Sequence, residues 1–525
     1  MRGRTSAGGT IAHDSNPPFR RDPLLPAVAL LALAVSAPIS RYLTWLGDEG
    51  VVLHGAVRIL GGETLYRDFF EVLGPGGFLI VAAWMKLVGV GFGSVRVLAI
   101  CVIATIAALL YAAARLSSGN RILAALLAVV WLVRAPFENS HHWLTTAASM
   151  AAAVGLLLAL ESAPRGRGAA FTAGLFAGTA ATITQSRGAL MCAAVLAVLL
   201  TTPRARARVL DALAGMAVCP TAMVLYLAAR GALAAAFDDA IRFPARHYAG
   251  IQAVPFGSFA TALDAASVAL FPLAFVLAGA VLAIERGATW REPRFRAALA
   301  LAVVGLLGAY PRPDVAHLSF TLPLACPLFA LAATDLLGRL ASRARPVVGT
   351  VLIGLCLAGV GYAITRRINL IIGPLRAVPT ARGLTVRQPS QWTDDFAALV
   401  AQVERIPPDD GVFFYPHLSM LPYLTARRHV AALDVMTPGY TTAAQFRETC
   451  VRVVSDARWV VMDRSWSDPR KFQYVFPAMR DPDPPEKRGF ETALALAFEQ
   501  VVHSSAFFEF RQRTGSASVV LCDAR

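Results

Sequence analysis

Two adjacent acidic residues follow the first apolar segment of the chain. Asp48 and Glu49 lie in the polar stretch between Arg41 and Glu71, shortly after the apolar residues end at Ser40. A carboxylate in this position can act as a general base or as a metal ligand at a membrane surface. The alternative is a solvated loop, because a charge at the middle of a bilayer costs roughly 2.5–3.5 kcal/mol. The pair predicts one of these two arrangements.

A cation, a carboxylate and an imidazole stand close together in the run Pro311–His317. Arg312 can grip a phosphate, since a guanidinium group pairs with two of its oxygens at once. Asp314 and His317 complete the group. The alternative is a structural ion pair with a satisfied histidine at the entrance of a helix. We favour a functional cluster, because three polar side chains beside an apolar segment require a reason.

Further cations lie between later apolar segments. Arg187 stands alone between two of them, and Arg242, Arg246 and His247 share one longer loop. Such arginines can hold a phosphate headgroup or merely anchor lipids. Asp238 and its neighbour Asp239 could bind a divalent cation, although a solvated loop explains two adjacent acids equally simply. The residues indicate no organic cofactor and leave the need for a divalent metal cation open.

The composition assigns the chain to the membrane class. Of its 525 residues 56% are apolar and 16% are charged, and the apolar residues form long blocks. A helix needs about 20 apolar residues to cross the hydrocarbon core, where all backbone groups must be bonded internally. Blocks of this kind are Leu24–Ser40, Val97–Ala114, Val209–Ala229, Phe259–Ile284, Leu318–Leu337 and Val347–Ile364. The first block lacks a convincing cleavage site, so we interpret it as a retained span.

Arginine-rich loops recur at every second turn of the chain and predict its orientation. Loops rich in arginine face the cytoplasm, which also explains the net charge of +15 without nucleic-acid binding. Residues 1–23 are then a cytoplasmic tail, and the C-terminal domain lies outside the cytoplasmic (inner) membrane. The predicted cytoplasmic loops are Arg115–Arg121, Arg165–Arg167, Arg204–Arg208, Arg286–Arg296 and Arg339–Arg345. The predicted outer loops are Arg41–Glu71, Glu138–His142, Gln185–Arg187, Asp238–Tyr248 and Arg312–His317.

One apolar segment is too short to cross the membrane. As a helix, Gly76–Val88 reaches only about 20 Å, so we expect it to be half-embedded from the outer face within the first outer loop, residues 41–96. This leaves about eleven spans, and thirteen is the upper alternative. The membrane domain then covers residues 24–366.

The tail, residues 379–525, differs in kind from the rest of the chain. The β-rich runs Gly411–Tyr415, Trp459–Met462 and Ser518–Leu521 alternate with helical stretches, which predicts a small soluble α/β domain outside the cell or in the periplasm. It has no glycine-rich phosphate loop. Cys450 and Cys522 are the two of the seven cysteines that lie in this tail. An oxidising compartment favours a disulfide between them, and two buried thiols are the alternative.

Motifs in the first third of the chain resemble those of glycosyltransferases with the type C fold, the class of protein mannosyltransferases and of the lipid A aminoarabinose transferase. The matching features are the acidic pair Asp48-Glu49, the glycine-bounded run Leu65-Tyr-Arg-Asp68, and Gly74-Pro75 opening a short apolar helix. The resemblance implies an inverting hexosyl- or pentosyltransferase with a polyprenyl-phosphate sugar donor and a lipid, glycan or protein acceptor. It also implies that Asp48 is the catalytic base and that Glu49 or Glu71 positions the acceptor or a cation.

Two departures from the family pattern affect other site residues. The lipid A group has Glu-Lys-Pro-Pro before the short helix, whereas this chain has Glu71-Val-Leu-Gly-Pro75, so Arg67 is a candidate for the missing phosphate-binding cation. Relatives often carry another acid in the next outer loop. Glu138, or the histidines His141 and His142, can take that place here.

Two other functions fit the same topology. A transporter or flippase for lipid-linked sugars would carry ionisable residues deep within its helices and paired repeats, and the sequence shows few of the former and none of the latter. A non-enzymatic subunit for cell-envelope assembly would use the tail for docking and would not need the Asp48-Glu49 pair.

The topology is testable with reporter fusions. A periplasmic reporter fused after Arg366 is expected to be active outside the cytoplasm, and a cytoplasmic reporter inserted within Arg286–Arg296 is expected to be active inside it, because of the arginine asymmetry. Cytoplasmic activity of the fusion after Arg366 would refute eleven spans and make Gly76–Val88 a crossing.

Overall fold

The computed structural model describes residues 21–44, 46–134, 137–161, 166–203, 205–261, 264, 268–515 and 522. Most of the described chain before residue 375 is helical. The main helices are Leu24–Ser36 (α1), Asp48–Leu60 (α2), Gly76–Val88 (α3), Phe92–Ser118 (α4), Arg121–Arg134 (α5), His141–Glu161 (α6), Gly166–Ile183 (α7), Gln185–Leu200 (α8), Ala205–Ala229 (α9), Leu233–Phe237 (α10), Ala249–Gln252 (α11), Leu270–Ile284 (α12), Pro293–Leu307 (α13), Val315–Arg339 (α14) and Ala344–Ile372 (α15).

Four of the described helices are long and apolar enough to cross a membrane by length and composition alone. These are α4, α6, α9 and α14. Helix α3 has the bounds expected from the sequence and only 13 residues, so it is a short apolar helix. The number of spans stays a prediction.

The structure groups the loops into two separate sets. In one set Asp22 forms ion pairs with Arg115 and Arg121, and Arg167 forms one with Asp211. In the other set the backbone and side-chain amides of Asn139 bond to Glu49, and Gln185 donates to the carbonyls of Val72 and Ala240. The arginine-rich loops therefore contact one another, and so do the chemically richer loops.

The C-terminal part contains two β-sheets and several helices. Strands Arg376–Thr380 (β1) and Gly383–Arg387 (β2) form an antiparallel pair, and a mixed sheet has the order β3-β4-β6-β5. In this sheet β3 and β4 are parallel, and the other two pairings are antiparallel. The strands of the mixed sheet are Val412–Tyr415 (β3), Trp459–Asp463 (β4), Gln500–Ser504 (β5) and Phe508–Gln512 (β6). The helices are Gln391–Val403 (α16), Met420–Thr425 (α17), Ala443–Asp456 (α18), Arg464–Ser467 (α19), Pro469–Val475 (α20) and Pro485–Ala497 (α21).

Two of the three β-rich runs expected from the sequence are strands, β3 and β4. The third, Ser518–Leu521, lies outside the described residues. The sequence did not indicate β5, whose residues are almost all exposed. An exposed edge strand needs no alternation of apolar and polar residues, which is the pattern that marks a half-buried strand.

The C-terminal domain packs directly on residues 41–96, the segment predicted to be the first outer loop. The backbone of Met420 donates to the carbonyl of Leu46, and that of Leu43 donates to Val386 in β2. Gly50 makes this approach possible, because a Cβ atom there would lie 2.1 Å from the backbone nitrogen of Met420. Gly50, which follows Asp48 and Glu49, is thus in contact with the C-terminal domain.

Cys450 and Cys522 form the expected disulfide, and their α-carbons are 5.7 Å apart. Cys450 lies on α18, whose apolar face packs on the mixed sheet. The bond therefore ties the end of the chain to the core of the C-terminal domain.

Removing this disulfide is expected to destabilise the C-terminal domain. The Cys450→Ser variant should lose about 2–5 kcal/mol, because the unfolded chain is no longer constrained by the cross-link. The measurement is the unfolding of the purified full chain followed with and without reductant, with Cys101→Ser, at an exposed thiol outside this domain, as the matched control. An unchanged unfolding midpoint for Cys450→Ser, or alkylation of both cysteines without prior reduction, would contradict it.

Candidate active site

Asp48 is the first residue of α2, and its carboxylate is open to water. Its side chain is 55% exposed and lies 3.5 Å from Nε2 of His417, a residue of the C-terminal domain. The free backbone N–H groups at the start of a helix favour a negative charge there. Asp48 thus lies where the first outer loop and the C-terminal domain meet.

Glu49, the next residue, is fully buried and held in an ion pair. Its Oε2 atom is 2.8 Å from Nη2 of Arg96 on α4, and its Oε1 atom accepts hydrogen bonds from the backbone and side chain of Asn139. Successive residues on a helix point in different directions, so the two acids have different surroundings. Glu49 joins three segments, and Asp48 remains accessible.

Several polar side chains surround Asp48 closely enough to act on its charge. Although the side chain is half-exposed, the protein around it opposes its ionisation, but the His417 ring, together with His141 and His317, holds the pKa of the Asp48 carboxyl below its usual value. Asp48 in turn acts on Glu138, Glu71 and the tyrosines Tyr248 and Tyr440. Asp48 is therefore ionised at neutral pH, as a proton acceptor must be.

Two further carboxyl groups beside Asp48 retain their protons more readily. Burial, followed by the charges of Glu49 and Asp48, raises the pKa of Glu138 to about 8. Burial also raises the pKa of Glu71 to about 7, although its Oε1 atom accepts hydrogen bonds from the backbone of Val72 and Leu73. Of these neighbouring acids, Asp48 has the lowest affinity for a proton.

Arg187 is a buried cation with unused donors. Arg187 is 2% exposed, and its Nη2 atom lies 3.4 Å from Nδ1 of His142 and 3.3 Å from the carbonyl oxygen of Gly308. Its Nε and Nη1 atoms have no hydrogen-bond partner within the described residues. A buried guanidinium without a carboxylate is costly unless an anion binds to it.

The run Pro311–His317 is an internally bonded cluster. Arg312 donates to Asp314 at 2.7 Å, to Gln252 at 3.2 Å and to the carbonyl of Val475 at 3.0 Å. Asp314 also accepts a hydrogen bond from the backbone of His317 and contacts Nδ1 of its ring at 2.8 Å. Each of the three side-chain nitrogens of Arg312 therefore has a partner within the protein, and the His317 ring is held in one orientation beside Asp48.

Arg67 lies apart from this cluster of buried groups. Its side chain is 47% exposed, pairs with Asp68 and donates to the carbonyl of Arg230 at the end of α9. By contrast, His141 and His142 begin helix α6 at the site. Their rings are tilted with centroids 4.0 Å apart, and the His142 ring stacks on Phe320. The structure thus brings together Asp48, Glu71, Glu138, His141, His142, Arg187, Asp314 and His317. Arg312 is ion-paired with Asp314 of this group, whereas Glu49 and Arg67 pair with Arg96 and Asp68.

The C-terminal domain supplies groups that sequence reasoning missed. His417 and Tyr440 both lie near Asp48, yet no spacing in the sequence links them to the first outer loop. A second contact is buried: Oδ1 of Asp434 is 2.9 Å from Nδ1 of His54 and 3.7 Å from Arg58, both on α2. Although burial opposes it, the charge and hydrogen bond of His54 hold the pKa of Asp434 well below its usual value.

The described part of the chain contains no group of three or more histidine, cysteine, aspartate or glutamate residues arranged to hold a metal ion. The site is defined instead by one accessible carboxylate, two acids with raised pKa values and one buried cation. This arrangement can accept a proton at Asp48 and bind an anion at Arg187.

No protein-family profile and no curated protein matches the chain. Among solved structures, ArnT from Cupriavidus metallidurans aligns in its apo state with 13% identity and a TM-score of 0.59, over 95% of this chain and 98% of ArnT. The same protein bound to undecaprenyl phosphate gives a TM-score of 0.57 at 13% identity, over 94% and 98% of the two chains.

A second similar structure is the arabinofuranosyltransferase AftD from Mycobacteria. It aligns with 14% identity and a TM-score of 0.50, over 96% of this chain and 40% of AftD. Both ArnT and AftD are glycosyltransferases of the type C fold. Because the alignments extend over nearly the whole of this chain, the expectation drawn from the first outer loop is confirmed: the protein has the type C glycosyltransferase fold.

Proposed function

We propose that the protein is an integral-membrane glycosyltransferase that moves a sugar from a polyprenyl-phosphate donor to an acceptor hydroxyl on the outer face of the cytoplasmic membrane. The observation that carries this proposal is the presence, in one site, of an accessible ionised carboxylate and a buried guanidinium with unused donors. A transporter would need neither a general base nor a leaving-group cation. The bound undecaprenyl phosphate in ArnT supports a donor of this chemical class.

In the proposed reaction Asp48 takes the proton of the acceptor hydroxyl. The acceptor oxygen attacks the anomeric carbon as the bond from that carbon to the phosphate oxygen breaks, so the configuration inverts. The electron pair leaves with the polyprenyl phosphate, and Arg187 stabilises its negative charge. No covalent enzyme intermediate is needed, because a paired phosphate is already a good leaving group.

Other side chains of the site position Asp48 and the substrates. The Glu49–Arg96 pair fixes the start of α2 and therefore Asp48, and the Arg312–Asp314 pair holds His317 beside it. Glu71 and Glu138, with raised pKa values, can donate hydrogen bonds to the acceptor or the sugar.

Replacing the base is expected to stop the chemical step. Asp48→Asn keeps the size of the side chain and removes its basicity, so kcat should fall by about 10²- to 10⁴-fold with little change in KM. The assay follows transfer of a radiolabelled sugar from polyprenyl phosphate by protein reconstituted in liposomes.

Asp394→Asn is the matched control for this substitution. The side chain of Asp394 is 54% exposed, but it lies in an ion pair with Arg376 in the C-terminal part of the chain and should retain full turnover. Near-normal turnover of Asp48→Asn would remove Asp48 from the mechanism.

Removing the buried cation is expected to weaken donor binding. Arg187→Gln should raise the KM for the donor roughly 10- to 100-fold, because a charge-assisted hydrogen bond to the phosphate is lost. The control is Arg470→Gln, at an arginine that is 91% exposed in the C-terminal domain. An unchanged donor KM for a folded Arg187→Gln protein would assign the phosphate to another cation.

A further inference from the structure

Four aromatic side chains from three parts of the chain form one group. Phe243 packs edge-on against Phe70 of the first outer loop, with ring centroids 4.9 Å apart, and lies 6.3 Å from Tyr440. Tyr440 in turn lies 5.4 Å from Tyr248. All four side chains are partly exposed, so they form a wall and not a closed core.

A short, internally bonded turn presents Tyr440. The backbones of Tyr440 and Thr441 both donate to the carbonyl of Thr437, and the Thr441 hydroxyl accepts from the Thr437 backbone. Gly439, with φ of +73°, adopts the left-handed conformation that glycine accommodates without a steric penalty. The ring is therefore held in place before any ligand binds.

The two tyrosines lie beside the acids of the site. Burial and, as the second cause, the charge of Asp48 raise the pKa of Tyr248 to about 12. Burial is also the main cause of the raised pKa of Tyr440, to which Glu71 and Asp48 both contribute. Neither tyrosine hydroxyl has a hydrogen-bond partner within the described residues, and the same holds for Oε2 of Glu71. This part of the site thus combines aromatic faces with unused polar atoms.

This combination matches the chemistry of a sugar ring. The C–H groups of a pyranose or furanose carry partial positive charge and pack on the electron-rich face of an aromatic ring. Its hydroxyl groups require both donors and acceptors, which the tyrosine hydroxyls and the carboxyl of Glu71 supply. An acyl chain would instead leave these polar atoms unpaired.

We propose that Tyr440 and Tyr248 form the wall of a carbohydrate-binding subsite beside Asp48 and that Glu71 binds a hydroxyl of the sugar held there. The proposal rests on the proposed glycosyltransferase function and names the ligand class of this part of its site. The C-terminal domain then takes part in substrate binding through Tyr440. The sugar is that of the donor or of a glycan acceptor, which have this chemistry in common.

The test uses the full chain in detergent and two kinds of variant. Tyr440→Phe keeps the ring and removes the hydroxyl, and Tyr440→Ala removes both. Tyr474→Ala is the control, at a tyrosine of the same domain that is 67% exposed. Saturation-transfer NMR with a mixture of methyl glycosides of common hexoses and pentoses measures binding without requiring catalysis.

We expect saturation transfer from the wild-type protein and from Tyr474→Ala, reduced transfer from Tyr440→Phe, and none from Tyr440→Ala. In the transfer assay Tyr440→Ala should raise one KM about tenfold. A change in the donor KM assigns the subsite to the donor sugar, and a change in the acceptor KM assigns it to a glycan acceptor.

The subsite and the glycosyltransferase function can fail separately. Sugar binding that depends on Tyr440 in a protein without transferase activity would refute the function and retain the subsite. An active enzyme whose Tyr440→Ala variant keeps wild-type KM values would refute the subsite, as would the absence of saturation transfer from wild-type protein. A circular-dichroism spectrum and an unfolding midpoint equal to those of Tyr474→Ala show that the variant is folded.

Discussion

The geometry of the site depends on the buried ion pair between Glu49 and Arg96. Both side chains are fully buried, and the second oxygen of Glu49 is bonded to the backbone and amide of Asn139. Removing one partner of such a pair leaves an uncompensated buried charge, which costs about 3–5 kcal/mol. The pair therefore joins α2 to α4 and to the segment before α6. Asp48, one residue earlier, is directed away from it into the open part of the site.

A second set of buried contacts joins α2 to the C-terminal domain. Asp434 contacts His54 and Arg58, and Arg58 donates to the carbonyl of Ala431 at 3.1 Å. Gly50 permits the close approach of the two backbones at one end of the helix. Because α2 is held on both sides, the domain that contributes His417 and Tyr440 is positioned relative to Asp48 by direct bonds.

The distribution of charge follows from the cost of placing ions in an apolar surrounding. On the arginine-rich side several cations have a carboxylate partner, as in the pairs of Arg167 with Asp211 and Arg294 with Glu161. Arg187 is different, since its buried guanidinium contacts only a histidine ring and a carbonyl among the described residues. An anionic ligand would compensate such a cation, as we propose for Arg187, and this difference distinguishes Arg187 from Arg67 and Arg312.

The sequence by itself determined the class of fold and most of the apolar helices, because long apolar blocks have few physical interpretations, and it directed the search for a site to the polar segment that holds Asp48 and Glu49. It also indicated the disulfide between Cys450 and Cys522, through the compartment and the pairing of two cysteines in one domain. Composition and spacing could not distinguish Asp48 from Glu49, which only the family resemblance separated, since their different surroundings depend on Arg96, 47 residues from Glu49. Nor could they associate His417 and Tyr440 with the site, because α2 meets the C-terminal domain through contacts such as His54–Asp434, separated by 380 residues. Local patterns report apolar surface and helix ends, whereas the partner of a buried charge is decided only when distant segments pack together.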